Sequence, residues 1–463
     1  MDDALLLSRI QFAFVISFHI LFPAFTIGLA SWLAFLEGVY LWRKDAAWRE
    51  LYFFWLKIFA VSFGMGVVSG IVMSFQFGTN WARFSEAAGN VIGPLLSYEV
   101  LTAFFLEAGF LGVMLFGWRR VSPRVHFFCT VMVALGTLLS TFWITSANSW
   151  MHTPAGYVLR DGVFEPADWF AIVFNPSFPW RLVHMALAAF ITTAFVIGGV
   201  AAAYLLRGRF VPEATRMLRL AVVFVVITVP VQIFAGDQQG LVVAEHQPAK
   251  LAAMEGHWRS EGPVPLVLFA WPDAENERND HQLAIPKLGS LILTHSWDGE
   301  VRGLSEFPRD ERPPVLPVFW AFRLMVAIGA AMLALAAAGL VLLKRDRLVH
   351  ARWYLHAWKW MLPSGFVAVL AGWFTAEIGR QPWVVYGLLR TSDAHSAVPA
   401  SSVLASLVAF GCVYAIVFGA GLWFIVQILR KGPAAVEPPH TEGGGKTPAR
   451  PLSVPEAVEA PRP

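Results

Sequence analysis

Seven ionisable side chains lie inside long apolar stretches of this 463-residue chain: His19, Lys57, Glu99, Glu107, His184, Arg323 and Glu377. Inside a membrane such a residue costs at least about 2.5–3.5 kcal/mol, which makes each a functional candidate. Met325, two residues after Arg323, adds a thioether that can bind a soft metal. Imidazole, thioether and carboxylate are the donors that hold iron or haem, and carboxylates and amines also carry protons. At about 1.5 Å per helical residue, His19, Glu99, His184 and Met325 fall in the outer half of their spans, and Glu377 falls at the outer mouth. Glu107 lies eight residues past Glu99, on the order of 12 Å deeper and about two turns on. It is expected to share a face with Glu99 and to point toward the cytoplasm. Each residue also has a plainer reading. The histidines can be interhelical hydrogen bonders, Met325 a core residue, and Glu377 an interfacial partner of Arg380. Arg323 and Lys57 can snorkel, and Gly66 and Gly70 can serve close helix packing. Shared depth sets the group apart.

Of twelve histidines, only His19 and His184 have outer-half apolar surroundings, while His126 and His356 are expected to serve at basic cytoplasmic ends. That scarcity argues against a copper held by several histidines and suits haem, which needs one or two axial ligands. The two cysteines, Cys129 and Cys412, form no CxxCH motif, so covalent haem attachment and a disulfide framework are not expected.

The elements that position these residues are membrane helices. Hydrophobic residues make up 57% and charged residues 14%, whereas a soluble protein carries about 25% charged. Mean hydropathy is +0.57. A soluble enzyme and extensive disorder are excluded, and the net charge of +3 is too small to suggest nucleic acid. Nine apolar stretches are long enough to cross: about 10–42, 52–77, 93–118, 125–148, 180–206, 217–236, 318–343, 355–377 and 401–429. No β-barrel alternation occurs, so the fold class is an all-α polytopic membrane bundle. The first stretch runs past Val39, too long for a signal peptide.

Alternate helix ends carry Arg43, Lys44, Arg49; Arg119, Arg120, Arg124; Arg207, Arg209, Arg216, Arg219; Lys344, Arg345, Arg347, Arg352; and Arg430, Lys431. The opposite ends carry only Arg9, Arg83, Arg160, Arg181, Arg380 and Arg390. The positive-inside rule then places the N-terminus outside and the C-terminus in the cytoplasm. Residues 1–236 hold spans one to six, 237–316 an ordered outer cap, 317–430 spans seven to nine, and 431–463 a disordered cytoplasmic tail.

Several stretches together resemble subunit I of the cytochrome bd-type quinol oxidases. They are Ser8-Arg9-Ile10-Gln11-Phe12 running to His19, Phe75-Gln76-Phe77-Gly78-Thr79-Asn80-Trp81, Glu99 to Glu107, and Asn148-Ser149-Trp150-Met151. Phe319-Trp320-Ala321-Phe322-Arg323-Leu324-Met325 and Trp373 to Glu377-Ile378-Gly379-Arg380-Gln381-Pro382-Trp383 complete the set. The resemblance covers residues 1 to about 430.

It implies that His184 and Met325 are the axial pair of a low-spin haem b, with Arg323 neutralising a propionate or stabilising the reduced centre. It implies that His19, Glu99 and Glu377 serve two high-spin haems, a second haem b and haem d, with the assignment of ligand to haem left open. Trp373 resembles an aromatic between haems, and Arg9 and Arg380 suit propionates. Residues Gln247-Pro248-Ala249-Lys250-Leu251-Ala252-Ala253-Met254-Glu255 resemble the family's quinol-binding loop, with Glu255 a general base and Lys250 orienting the headgroup. As exposed loop residues, Lys250 and Glu255 would otherwise read as solvated charges. Leu324 comes only 69 positions after Glu255, as in the short-loop, cyanide-insensitive-like branch, where a further haem b can replace haem d.

The resulting expectation is an enzyme of the bacterial cytoplasmic (inner) membrane that oxidises ubiquinol or menaquinol outside and reduces O2 to water. Its protons would come from the cytoplasm through Lys57, Ser140, Glu107 and Glu99, giving a gradient without pumping. Its partners would be subunit II, small single-helix subunits and lipid. Two rival classes use overlapping residues. An ion-coupled transporter would use Glu99, Glu107 and Lys57 without a chromophore. A haem electron carrier would need His184 and Met325 but neither His19 nor Glu377.

Overall fold

In the computed structural model, residues 3–433 are described, and the tail expected from 431 onward lies outside them from residue 434. The first apolar stretch forms two helices, α1 (Asp3–Leu21) and α2 (Pro23–Arg43), with Pro23 at the first turn of α2, where its missing N–H is harmless. Helix α3 (Ala46–Thr79) starts at Asp45, whose side chain accepts from Ala47 N–H at 3.0 Å. Helices α4 (Ala82–Glu99) and α5 (Phe105–Phe116) are joined by a π-helical turn, Val100–Phe104. Helix α6 (Pro123–His152) is capped by Ser122 and leads to the hairpin β1 (Tyr157–Arg160) and β2 (Val163–Pro166), then α7 (Trp169–Val173).

Helices α8 (Phe178–Leu206) and α9 (Val211–His246) pack along each other. Then come α10 (Pro248–Glu255), the hairpin β3 (Leu266–Asp273) and β4 (Arg278–Ile285), and α11 (Leu288–Thr294). Helix α12 (Val315–Lys344) precedes α13 (Arg352–Trp360) and α14 (Ser364–Ile378), which meet at 41°. The hairpin β5 (Trp383–Val385) and β6 (Leu389–Arg390), the short α15 (Thr391–Ala394) and the long α16 (Ala400–Lys431) complete the chain. Among the described residues eight spans are long and apolar enough to cross a membrane, or nine with the bent α13–α14 pair.

Polar groups inside spans are satisfied helix to helix, because hydrocarbon offers no water. The Phe75–Trp81 motif works this way. Asn80 Nδ2 donates to Gln11 Oε1 on α1 at 3.0 Å and to Gln76 Oε1 at 3.2 Å, and Ser406 on α16 donates to the same Gln11 oxygen at 3.2 Å. A second junction corrects one expectation. His126 is buried rather than interfacial, with Nδ1 2.6 Å from Glu37 Oε1 and Nε2 3.2 Å from the Met114 carbonyl. Thr130 donates to Glu37 Oε2 at 2.6 Å. Glu37 sits within the first expected span, so its charge was visible in the sequence but went unremarked.

The polar run Asp237-Gln238-Gln239 suggests a loop from residue 237, yet α9 continues to His246. The cap therefore begins about three turns later than expected. It is ordered, as expected, around Val243, Leu251, Met254, Trp258, Val264 and Leu304.

The main core is built where α2, α3, α8, α9 and α12 meet. There the fully buried Trp358 of α13 stacks on Phe195 of α8 at 4.9 Å and 21°, and it lies against the backbone of Gly198. A Cβ at Gly198 would overlap the indole ring. Gly198→Ala should therefore cost about 1–3 kcal/mol through overpacking. This would be read as a lower melting temperature of the detergent-solubilised protein; an unchanged melting temperature would show that Trp358 can move aside.

Candidate functional site

Three of the expected ligands meet neighbouring helices at glycines. His19, at the end of α1, has Nδ1 2.9 Å from Ser69 Oγ on α3, and Cε1 would lie 3.1 Å from a Cβ at Gly70. The Ser69 hydroxyl donates back to its own helix, at the Gly66 carbonyl 2.9 Å away. It thus accepts from Nδ1–H, which leaves His19 Nε2 unprotonated, the tautomer a metal needs. His184 on α8 rests against Gly236 of α9; Gln232 stands 3.3 Å from Nε2, and Nδ1 is buried without a partner. Met325 on α12 has its sulfur 2.9 Å from a Cβ position at Gly372 of α14. Helices α8 and α12 both pack against α9 and α14, with His184 set against α9 and Met325 against α14. Trp373 follows Gly372 and stands one turn before Glu377, on the same face of α14.

Glu377 is the most heavily bonded of the set. Its Oε1 accepts from Asn148 Nδ2 at 2.9 Å and from His152 Nε2 at 3.1 Å, both on α6, and its Oε2 is bound by Arg380 Nη2. Arg181 on α8 donates to Asn148 Oδ1 at 3.0 Å. The Arg380 pair seen here is the plainer alternative raised from sequence. It does not exclude ligation, because a carboxylate offers about four lone-pair sites and three are engaged. Arg380 also donates to the Val384 carbonyl at 2.6 Å, and its Nε is buried and unpartnered. Arg9, half-buried on α1, has no hydrogen-bond or ion-pair partner among the described residues.

Lys250 and Glu255 are not solvated charges. They are 2% and 4% exposed, held on α10 by the cap's packing. Lys250 Nζ lies 3.3 Å from Gln247 Oε1 and 3.4 Å from His152 Nδ1, and its stem packs on Gly379 just beyond α14. Glu255 Oε2 accepts from Arg323 Nη2 at 2.7 Å. Arg323 also donates to the Val267 carbonyl at 2.6 Å and the Met254 carbonyl at 3.2 Å, and it lies over Phe319 and Phe322. The arginine two residues from Met325 is thus tied to the cap.

The carboxylates of the expected proton path share a face, for a reason the spacing alone does not supply. Eight residues of ideal helix sweep about 800°, roughly 80° past two turns. The π turn, in which Phe105 N–H reaches the Val100 carbonyl, absorbs one residue and brings the sweep back to about 700°. Glu99 and Glu107 consequently both face α6. Ser140 donates to Glu99 Oε1 at 2.7 Å, and Gly136, one turn earlier, gives room to the buried Glu107, whose Oε1 has no partner. Lys57, half-buried on α3, makes no hydrogen bond or ion pair with Glu99, Ser140 or Glu107. The site residues that sequence reasoning missed are His152, Arg181, Asn148 (in its bonding role) and Gln247. His152 lies just past the expected end of span four at 148, and the buried Asn148-Ser149-Trp150-Met151 run was its signal.

Fold and site define a helical membrane protein with unsatisfied imidazole and carboxylate donors between its spans. Residues 7–433 match the family model described as cytochrome bd terminal oxidase subunit I. The chain is 37% identical to cytochrome bd ubiquinol oxidase subunit 1 of Bacillus subtilis, over 92% of this chain and 94% of that one. It is 34% identical to cytochrome bd-II ubiquinol oxidase subunit 1 of Escherichia coli, over 94% and 98%. The solved bd oxidase from Geobacillus thermodenitrificans superposes with a TM-score of 0.87 at 31% identity, covering 93% of this chain and 99% of that chain. The chain belongs to the cytochrome bd terminal oxidase subunit I family, a membrane family that implies haem and a second subunit. The transporter and oxygen-independent carrier readings give way to it.

The residues present fit haem. His184 has an orphaned buried nitrogen, His19 Nε2 and Glu377 each have a free lone pair, and the Arg9 guanidinium has no acceptor among the described residues.

Burial, then the cations Arg181 and Arg380, push the Lys250 ammonium well below its ordinary pKa of 10.5. Between that depressed value and 10.5 the unfolded chain binds more protons than the folded one, so stability rises with pH. Lys250→Met removes this term. The melting temperature of the wild type should rise relative to Lys250→Met between pH 7 and pH 9; parallel curves would refute the burial of a strained ammonium.

Proposed function

We propose that the chain is the haem-bearing subunit of a quinol:oxygen oxidoreductase in the bacterial inner membrane, with its N-terminus and cap outside and its C-terminus in the cytoplasm. The supporting observation is the burial of Lys250 and Glu255 in an ordered cap. Lys250 joins the hydrogen-bonded group around Glu377, and Glu255 joins Arg323 near Met325. The basic ends of the spans support the orientation. His184 and Met325 would hold a low-spin haem b; His19, Glu99 and Glu377 would serve a high-spin haem b and either haem d or a further haem b. Bound haem supplies electron transfer and the iron at which O2 is reduced. Trp373 would stand between these haems, and Arg9 would pair with a propionate.

The chain's own groups manage the protons. Glu255 accepts a proton from the quinol hydroxyl, and its pairing with Arg323 keeps it an oriented acceptor. Lys250 donates to the developing quinolate. Residues 237–316 thus form the quinol-binding region, and ubiquinol or menaquinol is the reductant. On the other side, Glu107, Glu99 and Ser140 line α6 as a path for cytoplasmic protons, with Lys57 at its entry. Release outside and uptake inside build a gradient without a pump. Subunit II and small single-helix subunits complete the complex within lipid.

The test is pyridine-haemochrome analysis of the purified complex with an oxygen electrode and quinol as reductant. Three haems and quinol-dependent oxygen uptake are expected. His19→Ala should abolish uptake with the low-spin spectrum intact; retained uptake would remove His19 from the oxygen site. Glu107→Leu should slow turnover by about 10²-fold, the scale of a lost proton-transfer group. Normal turnover with inside-derived protons in Glu107→Leu would rule out the path.

A further inference from the structure

The capped end contains a link that neither the cap nor the Glu377 centre requires by itself. His152, at the end of α6, is 1% exposed and lies between Lys250 and Glu377. Nε2 stands 3.1 Å from Glu377 Oε1, and Nδ1 stands 3.4 Å from Lys250 Nζ and 3.3 Å from Gln247 Oε1. With a neutral ring these bonds take one direction. A carboxylate only accepts, so Nε2 carries the proton and donates to Glu377. A neutral ring then has Nδ1 free as an acceptor, and an amino group on Lys250 donates to it. Gln247 Oε1 completes the arrangement by accepting from Lys250 at 3.3 Å. The result is a one-way series of N–H donors from α10 through α6 to α14, with Lys250 and His152 buried and the Glu377 side chain 16% exposed.

The surroundings make the series stiff. Lys250 is pressed against Gly379, two residues past Glu377, where a Cβ would fall 2.9 Å from Lys250 Cγ. The other Glu377 bonds, from Asn148 and Arg380, approach from α6 and from just beyond α14. Only the His152 bond leads to the cap.

We propose that His152 is a positioning residue that couples the quinol-side lysine Lys250 to the carboxylate of Glu377. A headgroup that draws Lys250 toward itself withdraws a donor from His152 Nδ1 and so alters how the ring holds Glu377. This rests on the reading of Lys250 as a quinol contact and of Glu377 as a ligand of a high-spin haem.

The experiment uses the intact complex and two readouts, the high-spin haem absorption spectrum and steady-state quinol kinetics. His152→Ala is expected to shift or deplete the high-spin bands, leave the low-spin band in place and raise the quinol KM by about tenfold, the scale of one lost hydrogen bond to a charged group. His152→Gln, which keeps an N–H for Glu377, should restore most of the high-spin bands. The coupling itself is read by Lys250→Met, which should perturb the high-spin bands when His152 is present and leave them unmoved in a His152→Leu background. An equal effect in both backgrounds, or none in either, overturns the link. If His152→Ala does not accumulate, His152→Gln and His152→Leu carry the same comparison. Glu377→Ala separates the two levels. Intact high-spin bands in that variant overturn the ligand reading and the proposal with it, whereas bands lost there but indifferent to His152 overturn the coupling alone.

Discussion

An ionised carboxylate survives between membrane helices only when N–H donors surround it. The capped end of this protein is arranged around that requirement at Glu377. Its three donors come from two places: Asn148 and His152 on α6, and Arg380 just past α14. Arg181 on α8 then fixes Asn148, and Lys250 on α10 fixes His152. Satisfying one carboxylate therefore sets the relative positions of α6, α8, α10 and α14. Removing any partner leaves a buried charge short of a donor, the costly direction for such a pair.

The cap is secured by a second buried ion pair of the same logic. Glu255 and Arg323 join α10 to α12, and Arg323 spends further N–H groups on carbonyls of the cap at Met254 and Val267. A guanidinium can do this because its five donors spread in a fixed plane. The extension of α9 to His246 carries the chain to where α10 can turn back over the helix ends. Cap and bundle are thus one packed object, and the buried groups of the cap also bond to the bundle.

Much of this was legible in the sequence because hydrocarbon makes polar residues conspicuous. Apolar length located the spans, and the rarity of charges within them singled out His19, Glu99, Glu107, His184 and Glu377. The failures share one cause: they depended on what lies across from a residue rather than along the chain. Polar Asp237-Gln238-Gln239 looked like a loop start, yet these residues continue α9. Lys250 and Glu255 looked solvated because their partners His152 and Arg323 are 98 and 68 residues away. His152 fell just outside a span drawn by hydropathy, since an apolar count stops where buried polar bonding begins. The shared face of Glu99 and Glu107 was expected, but ideal helix geometry would have missed it by about 80°. A π turn with no marked sequence signature supplies the difference.

Space is the remaining constraint, and glycine meets it repeatedly. Gly70 faces His19, Gly236 faces His184, Gly372 faces Met325, Gly136 faces Glu107 and Gly379 faces Lys250. Helices drawn together by small residues bring their backbones close, which favours association where no hydrophobic force separates helix from lipid. The same closeness leaves a large side chain room only opposite a missing Cβ. Each functional side chain here occupies such a gap, so its orientation is set by the opposite backbone as well as by its own rotamer preference. This explains why functional groups can be held on transmembrane helices without extensive polar scaffolding. A methyl group at any of these glycines would press on one of these five side chains directly, with no intermediate layer to absorb the change.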